Sequence, residues 1–293
     1  MRIASWGWGG RHHVGTVSAD GREATPLLVD YAGGATLRLI EALAHGEPLP
    51  AAKGPRVAVD AVTLRAPIPH PRRNLFCVGR NYHAHAQELS SSVFREDLPK
   101  EHQWPMVFTK FPETVIGPHD RVRLPGKAVS EQIDYESELA VIIGRGGRDI
   151  TRARAMDHVL GYTIVNDVSA RDVQLRHQQW LLGKNCDTFC PMGPWIVTAD
   201  ELDGRDTRLR GWVTPAGGAP ELRQNAMTRD MTFDIPTLIE TISRGITLLP
   251  GDIVATGTPA GVGMGFSPPK WLGAGDTVRI EIDGIGAIEN RFE

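Results

Sequence analysis

In the stretch IDYESELAVIIG, residues 133–144, Glu136 and Glu138 stand two positions apart and lead straight into an apolar run. Strand side chains alternate between faces, so the two carboxylates share a face with Ala140 and Ile142, while Ser137, Leu139, Val141 and Ile143 take the other. An isolated E-x-E pair is most simply the solvated face of an edge strand. Here the same face continues as Ala140 and Ile142, which carries the acids toward the interior, where two like charges without a basic neighbour on that face are costly. A divalent cation removes that cost. Carboxylate donors with no Cys or His at ligand spacing select a hard ion, Mg²⁺ or Mn²⁺, over zinc. A third acid, Asp167, ends the apolar run of GYTIVNDVSARD, though an Asp at such a junction also suits a helix N-cap.

Two further groups could act beside the acids. In VGRNYHAHAQEL, His85 and Glu88 are three residues apart and share one face of a helical turn. A carboxylate bonded to one imidazole nitrogen raises the basicity of the other, which is what activating a water requires; the same pair also suits a solvated helix face. Lys184, in WLLGKNCDTFCPMGPW, sits in a Gly-flanked apolar loop, either snorkelling or aimed at an anionic ligand. The glycines of GTPAGVGMGF do not form a dinucleotide or phosphate loop: no G-x-G-x-x-G, no following helical pattern and no G-K-[ST] occur. They read as a tight loop. G-x-S-x-G and H-E-x-x-H are also missing from the sequence, which removes two common hydrolase plans.

The elements that must position these residues are mostly strands. NLFCVG, ELAVIIG, GYTIVND, GPWIVTA, GDIVATG and GDTVRIEIDG are rich in β-branched residues and bounded by Gly, Pro or Asp. Helical patterns are expected over 82–90, 151–157, 170–181 and 235–244, too few and too irregular for a doubly wound parallel sheet, so the chain reads as α+β or as a mostly-β, barrel-like domain. Residues 1–68 look like a small β-rich domain carrying one amphipathic helix, ATLRLIEALAHG, that ends at Gly46. Pro67, Pro69 and Pro71 then hold the backbone extended and place the boundary of a main domain, 69–293. Residues 89–104, LSSSVFREDLPKEHQW, form a polar interruption that reads as a surface loop and, beside the candidate site, as a lid.

Composition agrees with an ordinary globular protein. The 293 residues are 41% hydrophobic and 23% charged with a formal net charge of −3, without the basic excess that nucleic acid calls for. No signal core or membrane-length apolar run is present, and the expectation is a cytoplasmic protein without a membrane partner. Cys77, Cys186 and Cys190 are an odd number without a CxxC pair, so they are expected to pack as small hydrophobes.

VGRNYHAHAQE, DYESELAVIIG, GYTIVNDVSARDVQ, LGKNCDTFCPMGPWIVT and LLPGDIVATGTPAGVG occur in the order found in the fumarylacetoacetate hydrolase (FAH) family, and the chain resembles that family from about residue 70 to its end. The resemblance implies a mixed β-roll catalytic domain, usually in a homodimer, with Mg²⁺ or Mn²⁺ held by Glu136, Glu138 and Asp167. It implies that His85 and Glu88 activate water, that Lys184 orients substrate, and that Arg171, Gln174 and Thr256 contact it. The function so implied is a hydrolase that cleaves a C–C bond of acylpyruvate-like 2,4-dioxo acids through a pyruvate enolate. An oxaloacetate-type decarboxylase or a 2-hydroxy-diene-dioate isomerase would use the same site, and a non-enzymatic, metal-stabilised binding protein is the third reading.

Overall fold

The computed structural model describes residues 1–29, 34–84, 104–176 and 179–293. At its centre, strand Ser137–Ile143 is buried at every position. Its alternation sorts the core in two, with Leu139, Val141 and Ile143 in one apolar cluster and Ala140 and Ile142 in the other. A strand covered on both faces needs no polar alternation, which is why it reads in sequence as an unbroken apolar run.

This strand pairs antiparallel with Val159–Asn166 on one side and with Ile253–Ala255 on the other. Beyond Val159–Asn166 the sheet continues through Cys190–Thr198, Arg2–Trp8, Arg11–Val17 and Glu23–Pro26 to Val57–Ala58. Beyond Ile253–Ala255 it continues through Leu75–Gly79 to Met106–Lys110, making twelve strands with two short ones off the path among the described residues. A second sheet of four strands, in the order Glu221–Met227, Arg208–Thr214, Thr277–Ile282, Gly286–Arg291, packs Leu209, Val213, Ile280 and Ile288 into the first cluster. Helix Ala35–Ala44 contributes Leu37, Leu39 and Ile40 to the second. The architecture is thus a mixed, sheet-dominated α+β fold with few helices, as the strand-rich pattern implied. No helix among the described residues is long and apolar enough to cross a membrane.

The first 68 residues join the rest through backbone and core. Arg2 lies opposite Val197 and Ile3 opposite Ile196, and Ile3, Val14 and Leu27 share a cluster with Met192 and Ile253. The three cysteines are free thiols, with Cys77 and Cys190 buried in that same cluster. The helical expectation over 151–157 becomes a 3-10 helix, Arg152–His158. That over 170–181 resolves into two short helices, Arg171–Arg176 and Leu181–Lys184. Helix Ile235–Ser243 forms where expected, with the Asp234 side chain accepting from the Thr237 N–H at 3.0 Å at its start. His85, Glu88 and residues 89–103 of the expected lid lie outside the described residues.

One buried side chain joins three segments next to the site. Asn81 donates from Nδ2 to the carbonyls of Phe233 at 2.9 Å and Thr256 at 2.7 Å, and its Oδ1 accepts from the Phe233 N–H at 2.8 Å. Leaving buried backbone groups unpaired costs about 1–3 kcal/mol each. Asn81→Ala should therefore destabilise the protein by roughly 3 kcal/mol or more, read as a lower midpoint with unchanged slope in urea unfolding; a change under about 1 kcal/mol would show that these bonds are dispensable.

Candidate metal centre

Glu138 belongs to the central strand, and Glu136 stands one residue before it, in the link from the short strand Ile133–Asp134. Asp167 immediately follows strand Val159–Asn166, whose antiparallel register sets Asn166 opposite Ser137 and Val165 opposite Glu138. Two bonds lock this junction: the Asp167 N–H donates to the Glu136 carbonyl at 2.9 Å, and the Glu136 N–H donates to Asn166 Oδ1 at 3.1 Å. Glu136, Glu138 and Asp167 are all buried, and each offers a carboxylate oxygen within 4.8 Å of the others. Asp167 does not cap a helix; the next one starts four residues later, at Arg171, and its carboxylate turns instead to two lysines.

The expectation of an acid face without basic neighbours is corrected by those lysines and by an arginine. Lys184 Nζ lies 2.7 Å from Glu136 Oε2 and 2.8 Å from Asp167 Oδ2, with the ring of Phe108 on another side, 4.9 Å from the ammonium to its centroid. Lys110 Nζ lies 2.7 Å from Asp167 Oδ1. Arg171 reaches Glu136 Oε1 with Nη1 at 2.6 Å and Asp134 Oδ2 with Nε at 2.8 Å. Sequence alternation sees one strand, whereas these cations arrive from three other elements. Gln174 is buried and accepts from Arg171 Nη1 at 3.1 Å. Thr256 is buried too, its hydroxyl donating to the Leu139 carbonyl at 2.9 Å.

Lys110 and Asp134 were not among the residues read from the sequence. Asp134 could have been found by extending the two-residue spacing of Glu136 and Glu138 backwards. Lys110 ends the strand MVFTK with nothing local to mark it. The late glycines, expected as a tight loop, fold around Asp134: the Gly263 N–H donates to Oδ1 at 2.6 Å and the Met264 N–H to Oδ2 at 3.1 Å. A Cβ on Gly263 would stand 2.7 Å from Asp134 Oδ1 and 2.2 Å from the Lys270 carbonyl. The loop does cradle an anion, but the anion is the protein's own. Gly257, at φ 101°, likewise brings its N–H to Glu138 Oε2 at 2.9 Å, and a Cβ there would lie 2.8 Å from that of Asn81.

Charge and burial decide the protonation states. Burial, then Asp167 and Glu136, push the Glu138 carboxyl well above its usual value, against smaller opposing effects of Lys184 and the Gly257 N–H. Burial alone would pull the Lys184 ammonium down, but Asp167 and Glu136 outweigh it and hold the group above its usual value. Burial likewise opposes the Arg171 charge, and Glu136 and Asp134 more than restore it. Four carboxyl groups thus face three cations, and Glu138 is the one least able to ionise without a further cation. A convergent, all-oxygen, buried donor set with charge to spare fits a hard divalent cation, which Glu136, Glu138 and Asp167 would hold.

Fold and site together define a class: sheet-dominated proteins that set a cage of carboxylates, braced by buried cations, inside a packed core. Comparison with known sequences gives that class a family. Residues 74–293 match the model of the fumarylacetoacetate (FAA) hydrolase C-terminal domain, and the chain belongs to that family. It is 50% identical over 235 residues to the oxaloacetate tautomerase YisK of Bacillus subtilis, covering 80% of this chain and 74% of that one. Among solved structures, a fumarylacetoacetate hydrolase from psychrophilic Exiguobacterium antarcticum superposes with a TM-score of 0.82 at 38% identity, over 100% of this chain and 99% of the other. The 2-hydroxyhepta-2,4-diene-1,7-dioate isomerase from Mycobacterium marinum does so with a TM-score of 0.76 at 34% identity, over 100% and 98%.

Glu138 links metal, pH and stability. Because its folded pKa is raised, the native state keeps a proton that the unfolded chain releases near 4.5, so metal-free protein should lose stability as pH rises from there through the folded value. A bound divalent cation requires the carboxylate and relieves that loss. The rise in melting temperature on adding Mn²⁺ is therefore expected to grow with pH across this window, compared with samples held in chelator; a shift that shrinks with rising pH would contradict the assignment.

Proposed function

We propose that this chain is a metal-dependent keto–enol isomerase of 2-oxo diacids of the oxaloacetate type. The observation that carries the reading is the identity of 50% over 235 residues with an oxaloacetate tautomerase, in a chain whose buried acid triad fits a divalent cation. The similarity to a dienedioate isomerase at 34% identity supports the same chemistry, movement of a proton along an enol system.

A divalent ion held by Glu136, Glu138 and Asp167 would supply a Lewis acid for the 2-oxo oxygen, where negative charge develops in an enolate. The chain's own groups do the rest. Lys184 stays protonated between Glu136 and Asp167, so it serves as a fixed positive charge and hydrogen-bond donor to the enolate oxygen rather than as a base. Arg171 has its Nε and Nη1 engaged by Asp134, Glu136 and Gln174, while its buried Nη2 has no hydrogen-bond partner. A carboxylate of the substrate would meet that remaining donor, with Gln174 keeping the guanidinium in place. His85, with Glu88, is the base we assign to the C3 proton: the C–H electron pair becomes the C2–C3 double bond, the 2-oxo oxygen takes a proton from water, and His85 returns its own to the solvent.

Cleavage of acylpyruvates would call on His85 to activate water instead, and decarboxylation of a 2-oxo diacid would pass through the same enolate without water. The test is to follow ketonisation of enol-oxaloacetate by ultraviolet absorbance with Mg²⁺ or Mn²⁺, alongside product analysis with acylpyruvates and oxaloacetate. Metal-dependent acceleration of ketonisation, lost in Glu138→Ala and Asp167→Ala, is the expected result. Turnover of acylpyruvates with no acceleration of ketonisation would overturn the proposal in favour of hydrolysis. His85→Ala should slow the proton transfer by about a hundredfold; an unchanged rate would remove His85 from the reaction.

A further inference from the structure

We infer that Lys110 is a positioning residue of the metal centre, a three-point clamp that sets where Asp167 and Lys184 stand relative to one another. Lys110 is completely buried at the end of strand Met106–Lys110. Its ammonium meets Asp167 Oδ1 at 2.7 Å, the Val168 carbonyl at 3.1 Å and the Lys184 carbonyl. Two of its three N–H donors go to the two carbonyls and the carboxylate faces it as an ion pair, so the ammonium is spent on the protein's own oxygens.

The three acceptors come from two places. Asp167 and Val168 form the exit from strand Val159–Asn166, and Lys184 ends helix Leu181–Lys184. Lys110 binds the first through one carboxylate oxygen and one carbonyl, and the second through its main chain. Lys184 then returns to the other Asp167 oxygen, Oδ2, with its own ammonium at 2.8 Å. The result is a closed ring, Lys110 to Asp167 to Lys184 and back through the Lys184 carbonyl, that presents the Asp167 carboxylate in one orientation to Glu136 and Glu138. The same strand adds Phe108, whose ring faces the Lys184 ammonium at 4.9 Å and packs edge-on against Trp180 at 5.2 Å.

This inference rests on the acid triad as a cation site and is independent of which reaction the site performs. Charge and position predict opposite signs for one measurement. Removing a positive charge beside three carboxylates should, by Coulomb attraction alone, tighten binding of a divalent cation. Removing a clamp that orients a ligand should weaken it, by about 10- to 100-fold for a group that holds a metal ligand in place. Mn²⁺ binding, followed by the electron paramagnetic resonance signal of the free ion, is to be measured for wild type, Lys110→Met and Lys110→Arg, with circular dichroism and melting temperature recorded on each. Lys110→Met keeps the length without the donors; Lys110→Arg keeps the charge but not the tetrahedral set of donors. Weakening of about tenfold or more in every variant that folds supports the clamp. Unchanged or tighter binding in Lys110→Met, or wild-type affinity in Lys110→Arg, overturns it, and if Lys110→Met does not fold, the arginine variant decides. If wild type binds one Mn²⁺ and the variants weaken it while no ketonisation is seen, the reaction assignment fails and the clamp stands.

Discussion

Four carboxylates and three cations buried in one place are the constraint around which the structure is arranged. Taking Asp134, Glu136, Glu138 and Asp167 out of water is costly, and the attraction of Lys110, Lys184 and Arg171 offsets that cost only with near-contact geometry and with every remaining donor satisfied. Convergence of distant segments meets that condition except at Arg171 Nη2, which is buried without a hydrogen-bond partner. Asp134 takes the Arg171 guanidinium together with two main-chain N–H groups of the late glycine loop. Lys110 and Lys184 share Asp167, and Lys184 and Arg171 share Glu136. Replacing such a network by apolar side chains is often neutral or stabilising, so its presence argues for a task beyond holding the fold together.

That task follows from the imbalance. A cage with more acid than base, lined by oxygen and closed by main-chain donors, is poised for a hard cation, and its lysine and arginine remain charged beside it. A substrate with a carboxylate next to a carbonyl complements both halves of this arrangement. The same features would serve tautomerisation, decarboxylation and C–C hydrolysis alike, because all three pass through an enolate at the same oxygen. What separates them is the group that handles the proton or the water, the part that the proposal gives to His85 and Glu88.

The surrounding fold explains how so many charges can be held so closely. The central strand is covered on both faces by apolar clusters, so its end cannot shift without disturbing packing on two sides. Its antiparallel neighbour delivers Asp167 in register with Glu136. Asn81 ties the segment after strand Leu75–Gly79 to Phe233 and Thr256, next to the glycine that donates to Glu138. Rigid elements thus place the acids, and short glycine-bearing turns supply the N–H groups around them.

Much of this was legible in the sequence. The two-residue spacing of Glu136 and Glu138, and the apolar run behind them, follow from the alternation of a strand, which is a local property. The strands at 75–79, 137–143, 159–166 and 277–282 likewise follow from β-branched runs between glycines and prolines. Long-range placement was not legible. Lys110 is 57 residues from Asp167 in the chain, and no periodicity links the end of one strand to the exit of another. The acid face looked uncompensated because its cations come from other elements, and the glycine loop looked like a plain turn because the anion it surrounds, Asp134, lies far away in sequence. The sequence by itself determined which residues could form a strand and which side of it would carry charge, since those depend on neighbours within a few positions. Only the tertiary structure decided which charges meet, because their pairing is set by register and packing between segments 17 to 57 residues apart.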